Sequence, residues 1–374
     1  MAETIVVYDS DHPGAKDNVC FTDSYAAQGP GHSFTVDLAR ELNSRGIRTV
    51  TADVFLKDFD NLSANATVLA ITDMVSRNTG TLLKRGSIPF ICMCTESPLI
   101  ARSFYMNIRK LAGRFIYNIQ FRGTEDRLKD TGTLFSPMYY PSDNRAQTSV
   151  TWSERKLLIL INRNKRAFFH NTSSLKNTVR SVLSRVNVVI QRTRDPWLRS
   201  KELYKERIES ISYFSNNPGF DLYGQGWERP IPGFNATYHK AAVKAFRGPL
   251  GPTDKVRTMS RYKFAICFEN CVFPGYVTEK IFDCFLAGCI PLYYGAPDIE
   301  DFVPKGSFID VRQFSSFEEL EKHIQLLTEE EGMKIVNEAK RFLDSKSFDR
   351  YDQAMIIKKI VDRVLIYPKT DPLN

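Results

Sequence analysis

The chain has 374 residues, 43% of them apolar and 25% charged, with no tract of Pro, Ser or Gln. That length is about two and a half domains of ~150 residues, and the composition excludes a disordered or fibrous chain in favour of a soluble globular one. Lys and Arg exceed Asp and Glu by 51 − 43 = +8, which points to an anionic partner such as nucleic acid, a phosphate-bearing small molecule or an acidic membrane face. The basic residues are spread along the chain with no arginine-rich arm and no recognisable nucleic-acid module, which argues against nucleic acid.

The first residues, MAETIVVYDSDHPG, carry no basic stretch ahead of an apolar one, and nowhere do ~18 apolar residues run uninterrupted. The expectation is a chain without signal peptide or transmembrane helix. Its seven cysteines (Cys20, Cys92, Cys94, Cys267, Cys271, Cys284 and Cys289) are odd in number and mostly sit in apolar strand-like runs rather than at zinc-binding spacing. Reduced thiols in a cytoplasm are expected.

In chain order, Ile5 to Tyr8 reads as a strand, and Ser33 as the cap of a helix that stops at Gly46. Ile47 to Leu56 resumes an extended pattern, with further strands at Thr67 to Ile71 and Ile88 to Cys94 and a short helix between them in Asn78 to Gly86. Strands alternating with helices imply a parallel, doubly wound sheet. The polar stretch Tyr140 to Ser153 reads as a linker, which sets a first domain at 1–150 and a second at 151–345, followed by a C-terminal helix and tail at 346–374.

The second alternation predicts a strand over Lys156 to Ile161, a helix over Ser174 to Leu183, a strand over Val186 to Ile190 and a helix over Lys201 to Phe214. Phe220 to Tyr223 is a short strand that enters the turn Gly224-Gln225-Gly226. Then a βαβ unit follows: strand Lys263 to Phe268, a loop Glu269 to Gly275, a helix capped by Thr278 and ended by Gly288, and a strand Ile290 to Tyr294. Ligands of such sheets bind beyond the carboxyl ends of the strands, where helix N-termini point. YVTEK, Tyr276 to Lys280, stands at that place. A diphosphate is favoured there by the dipole and by Lys280, while Glu279 can accept from ribose hydroxyls. The alternative is that Glu279 is only a good dipole partner and Lys280 a solvated side chain.

The string from Tyr262 to Phe314 resembles the donor-binding segment of the α-1,3/4-fucosyltransferases, inverting enzymes that use GDP-β-L-fucose. It carries an F-E-N loop, a Y-x-T-E-K helix start, an A-G-x-x-P strand entry, a G-x-P turn and an F-x-P…S-F-I segment in order, with Cys271 where the family usually has Ser. The resemblance assigns donor contacts to Glu269, Asn270, Tyr276, Thr278, Glu279 and Lys280. It extends to Arg207, which precedes Phe214 and the DLYG of Asp221 to Gly224, and so adds Arg207, Tyr223 and Gly224 to the donor site. The planar fork of Arg207 would grip the diphosphate; a solvated helix arginine is the alternative, and Arg166, at the end of NRNKR, is a rival.

FICMCTESPLI matches the family's strand followed by E-S-P, the position of its general base, here Glu96. Displacement at the sugar C1 needs a carboxylate to take the acceptor proton, and semi-buried apolar surroundings would raise the pKa of Glu96. A helix cap or loop carboxylate is the alternative. The resemblance implies two Rossmann-like domains facing across a cleft, the GT-B architecture, with α-1,3-type fucose transfer. It further implies a cytoplasmic protein whose bacterial counterparts act on lipid-linked or lipopolysaccharide glycans. The basic amphipathic stretch Ile356 to Ile366 would touch that membrane face or else pack on a neighbouring domain.

Asp9-Ser10-Asp11 and Asp58-Phe59-Asp60 have the D-x-D form of metal-dependent glycosyltransferases, but neither lies in a nucleotide-binding context, and the five histidines have no metal spacing. No essential metal and no cofactor are expected. Gly29-Pro30-Gly31 reads as a tight turn, with His32 as a candidate acceptor-lining residue. The competing readings are a related GT-B enzyme with another nucleotide sugar, and a non-catalytic nucleotide-sugar or nucleic-acid binder. Glu96 discriminates the latter, because a pure binder needs no base.

Overall fold

The computed structural model describes residues 3–28, 30–61, 65–94, 96–128, 132–133, 150–164, 201–231, 234–251 and 253–367. The chain divides into two compact units, Met1–Glu96 with Ala101–Asp143 and Lys346–Asn374, and Ser97–Ile100 with Asn144–Ser345.

The β-branched and apolar runs of the first unit form β1 (Thr4–Ser10), β2 (Arg48–Thr51), β3 (Thr67–Asp73), β4 (Ile88–Met93), β5 (Tyr117–Ile119) and β6 (Gly132–Thr133). They make one sheet in the order β2-β1-β3-β4-β5-β6, with every pair parallel. Such a sheet is buried on both faces by the crossover helices. Ile5 and Val7 accordingly join Val50 and Phe55 on one side, while Val6 and Tyr8 join Phe34, Leu38 and Leu42 on the other.

Two boundaries differ from expectation. The first long helix is Pro30–Ser44 and starts three residues before Ser33, because a proline's fixed φ suits the first helical position. The Ser33 hydroxyl instead accepts from Gln353 Nε2 at 3.0 Å. The extended run expected to reach Leu56 ends at Thr51, where the helix Ala52–Lys57 begins with Asp53 favourably placed in its first turn.

The C-terminal helix Gln353–Ile366 belongs to this first unit. Asp352 caps it by accepting from the amides of Ala354 and Met355, and Ile356, Ile360, Val361 and Val364 are buried in the same core as Val6 and Phe90. Its apolar face, one reading of which was a membrane contact, is consumed by the core. Among the described residues no helix is long and apolar enough to cross a membrane.

In the second unit the strands are β7 (Lys156–Ile161), β8 (Lys201–Glu202), β9 (Phe220–Tyr223), β10 (Tyr262–Phe268), β11 (Cys271–Val272), β12 (Ile290–Tyr294) and β13 (Ile309–Asp310). Five of them form a parallel sheet in the order β13-β12-β10-β7-β9, and β8 pairs antiparallel with β11 in a separate ribbon. That pairing moves the start of the helix expected over Lys201 to Phe214, which runs from Tyr204 to Phe214. The helix and strand expected between Ser174 and Ile190, and the linker up to residue 149, lie outside the described residues, as does Arg166. Trp152, at the end of that expected linker, is buried in the second core.

Candidate active site

A doubly wound sheet binds ligands where strand addition reverses direction. In the second unit β9 is added on one side of β7 and β10 on the other, so the reversal falls between β7 and β10. A small pocket lies there. It is lined by Asn162 just past β7, by Cys267 and Phe268 at the end of β10, and by Arg207, Lys255 and Lys280. Three cationic side chains thus line one strand-end pocket, with Lys280 paired to Glu269 and Lys255 to Asp283.

Each element places its cation for a local reason. Arg207 lies on the helix Tyr204–Phe214 and is 2% exposed; its guanidinium stacks over the Tyr204 ring at 4.9 Å. Its Nη2 donates to the Phe268 carbonyl at 2.5 Å and to Asn270 Oδ1 at 3.1 Å. A buried arginine fixed by two oxygens next to a pocket is pre-organised, which disposes of the solvated alternative. Asn270 in turn donates from Nδ2 to the hydroxyl of buried Tyr276 at 3.2 Å.

Lys280 lies in the first turn of the helix Glu279–Ala287, which ends where Gly288 takes φ 62. Thr278 precedes this helix without capping it through its side chain. Its amide and hydroxyl both donate to Glu269, at 2.8 to 2.9 Å, and Lys280 Nζ lies 2.9 Å from the same carboxylate. Glu269 has no exposed surface. The described bonds of its side chain all go to Thr278 and Lys280, so in this structure it positions those two residues.

Burial works to lower the Lys280 pKa, but the carboxylates of Glu269 and Glu279 outweigh it and hold the amine above its ordinary value. Burial likewise opposes ionisation of Glu279, yet the charges of Lys280 and Lys255 bring that carboxyl down to about 2. The Glu279 side chain is 43% exposed, so solvent screens part of this effect. Both groups are charged at neutral pH.

Of the expected donor residues only Arg207 and Lys280 line the pocket; Glu269, Asn270, Tyr276, Thr278 and Glu279 lie outside its lining, as do Tyr223 and Gly224. The Tyr223 hydroxyl stands 3.5 Å from that of Tyr262, which donates to buried Asp221 beside Lys156 and Arg247. Gly224 has φ 129, and a Cβ there would lie 1.9 Å from the Asn162 carbonyl oxygen. Glycine is required there for close backbone packing.

In the first unit Glu96 follows the carboxyl end of β4 and is half-buried, with its carbonyl accepting from the Tyr105 hydroxyl at 2.9 Å. His32 packs edge-on against Tyr25, ring centroids 4.7 Å apart, with His12 beside both. Asp9, the first carboxylate of one D-x-D, is buried and accepts from Ser76 Oγ and Thr79 Oγ1 at 2.6 Å each. Burial pushes its pKa up despite those bonds. Through Ser76 and Thr79 it anchors the start of the helix Arg77–Lys84. Among the described residues no three His, Cys, Asp or Glu side chains converge as metal ligands.

Residues 197–335, which hold all of the pocket except the β7 strand and Asn162, match the model for the C-terminal part of glycosyltransferase family 10 (fucosyltransferase). An alpha-(1,3)-fucosyltransferase of Helicobacter pylori is 45% identical over 75 residues, 20% of this chain and 16% of that protein. An alpha-(1,4)-fucosyltransferase of Arabidopsis thaliana is 44% identical over 69 residues, 18% of this chain and 17% of its own. The aligned part thus spans about a sixth of those relatives.

The fold likeness is wider. A crystal structure of an alpha1,3-fucosyltransferase with GDP superposes with a TM-score of 0.52 at 14% identity, covering 99% of this chain and 92% of that one. A glycosyltransferase from Rickettsia africae gives 0.55 at 10% identity, covering 98% and 99%. The fold is therefore that of the GT-B glycosyltransferases, with two Rossmann-like domains.

Lys255 and Asn162 escaped the sequence reading. Neither belongs to a motif, and their place at the pocket depends on strand order, which no local pattern encodes.

Proposed function

We propose that the chain is an inverting glycosyltransferase that moves L-fucose from GDP-β-L-fucose to a glycan hydroxyl in an α-1,3-type linkage. The observation that carries this reading is the pre-organised pair Arg207 and Lys280 at the strand-end pocket of a family 10 segment. The names of the relatives, α-1,3- and α-1,4-fucosyltransferases, support the donor sugar and the class of linkage.

In the proposed reaction the acceptor oxygen forms a bond to C1 as the bond from C1 to the diphosphate oxygen breaks, which inverts the β-linked donor to an α product. The hydroxyl proton passes to the Glu96 carboxylate, and GDP leaves with the bonding electron pair. Lys280, Arg207 and the positive end of the helix Glu279–Ala287 stabilise the developing charge, the task a metal performs in other glycosyltransferases. Glu279 accepts from the ribose hydroxyls, with Asn270, Tyr276 and Thr278 completing the donor wall, and a glycan acceptor meets the first unit near His32. All seven cysteines are buried thiols, which supports action in a reducing compartment such as the cytoplasm.

A thermal-shift panel of GDP, UDP and ADP, each with EDTA, tests the reading. GDP at a hundred times its Kd is expected to stabilise the protein by about 2.7 kcal/mol without divalent metal. Stabilisation by UDP alone would assign another nucleotide sugar, and a strict Mn²⁺ requirement would overturn the metal-free mechanism.

A further inference from the structure

We propose that Lys255 is a third cation of the donor diphosphate site, held in place by Asp283; this rests on the nucleotide-sugar reading above. Lys255 opens the short helix Lys255–Met259, where a positive charge opposes the helix dipole, so local helix energetics do not explain it. Its Nζ lies 2.5 Å from Asp283 Oδ2, and its side chain is 30% exposed while that of Asp283 is 6% exposed. Asp283 sits three residues after Lys280 on the helix Glu279–Ala287, and residues at that spacing share a helix face. The anchor for Lys255 and the donor-facing lysine are therefore carried on one rigid element.

The plain alternative is that Lys255 exists to neutralise Asp283. A buried ion pair is seldom more stable than apolar residues of the same size, so neutralisation alone gives no reason for either charge. What distinguishes this pair is its location: Lys255 lines the same pocket as Arg207 and Lys280. Arg207, Lys280 and Lys255 come from three separate helices around one strand-end opening. Such an arrangement suits the spread charge of two linked phosphates better than a single anion.

The test is calorimetric titration of GDP, GMP and guanosine into the full-length protein and two variants. Lys255→Gln removes the charge and keeps a donor toward Asp283; Lys255→Met with Asp283→Asn removes the charge without leaving a lone buried carboxylate. Both are expected to weaken GDP roughly tenfold to a hundredfold, the range for one charged hydrogen bond. Guanosine affinity should stay within about twofold, and the salt dependence of GDP binding should become shallower. Unchanged GDP affinity, or equal losses for all three ligands, would overturn the assignment and leave Lys255 a structural partner of Asp283. A wild-type protein that binds no nucleoside diphosphate would overturn the parent reading as well.

Discussion

In the first unit the reversal of strand order falls between β1 and β3, and the carboxylate at that place, Asp9, is spent on Ser76 and Thr79. In the second unit the reversal falls between β7 and β10, and a pocket lined by Arg207, Lys255 and Lys280 opens there. The two sheets follow one plan, yet at one reversal point a carboxylate anchors a helix while the other is lined with fixed cations. A fold supplies the location, and the side chains delivered to it decide whether anything binds. The base proposed for this unit, Glu96, stands elsewhere, past β4.

The contrast is sharpest at Glu96 and Lys280. With Glu96→Gln, turnover should fall by ~10²–10⁴-fold while GDP affinity, measured by titration, stays near wild type. Loss of GDP affinity with residual turnover would instead make Glu96 a binding or structural residue. Lys280→Ala should do the reverse, weakening GDP roughly tenfold to a hundredfold as one charged hydrogen bond is lost. Retained affinity would move the diphosphate away from the β7–β10 pocket.

A smaller effect tests the helix anchor at Asp9. Asp9→Ala strips the partner from two hydroxyls and should destabilise the first unit by about 1–3 kcal/mol in denaturant unfolding, with GDP titration unchanged. If Asp9 were a metal ligand, stability would hold and a metal requirement would appear in the wild type.

The smallest effect concerns acid. The Glu279 carboxyl is lowered from 4.5 to about 2, so its stabilising contribution is fully present above pH 4.5 and lost as pH falls toward 2. Glu279→Gln should flatten the acid limb of the stability curve within that window alone. Solvent screening at this half-exposed side chain keeps the effect modest.

The sequence by itself determined what is local. The βαβ unit from Tyr262 to Tyr294 was readable because apolar strands, a helix start at Glu279 and a glycine stop are short-range signals, and each boundary fell within a residue. Arg207, Asn270 and Lys280 were found through motif order, and all three stand together at or beside the pocket. Only the tertiary structure decided matters that join residues far apart in the chain. Lys255 meets Asp283, and Glu269 turns inward to hold Thr278 and Lys280. Tyr223 turns toward Tyr262. The C-terminal helix returns to the N-terminal core, so a face legible as amphipathic gave no hint of its partner. Periodicity reports that a face will be buried, whereas its partner follows from how strands and helices are ordered in space.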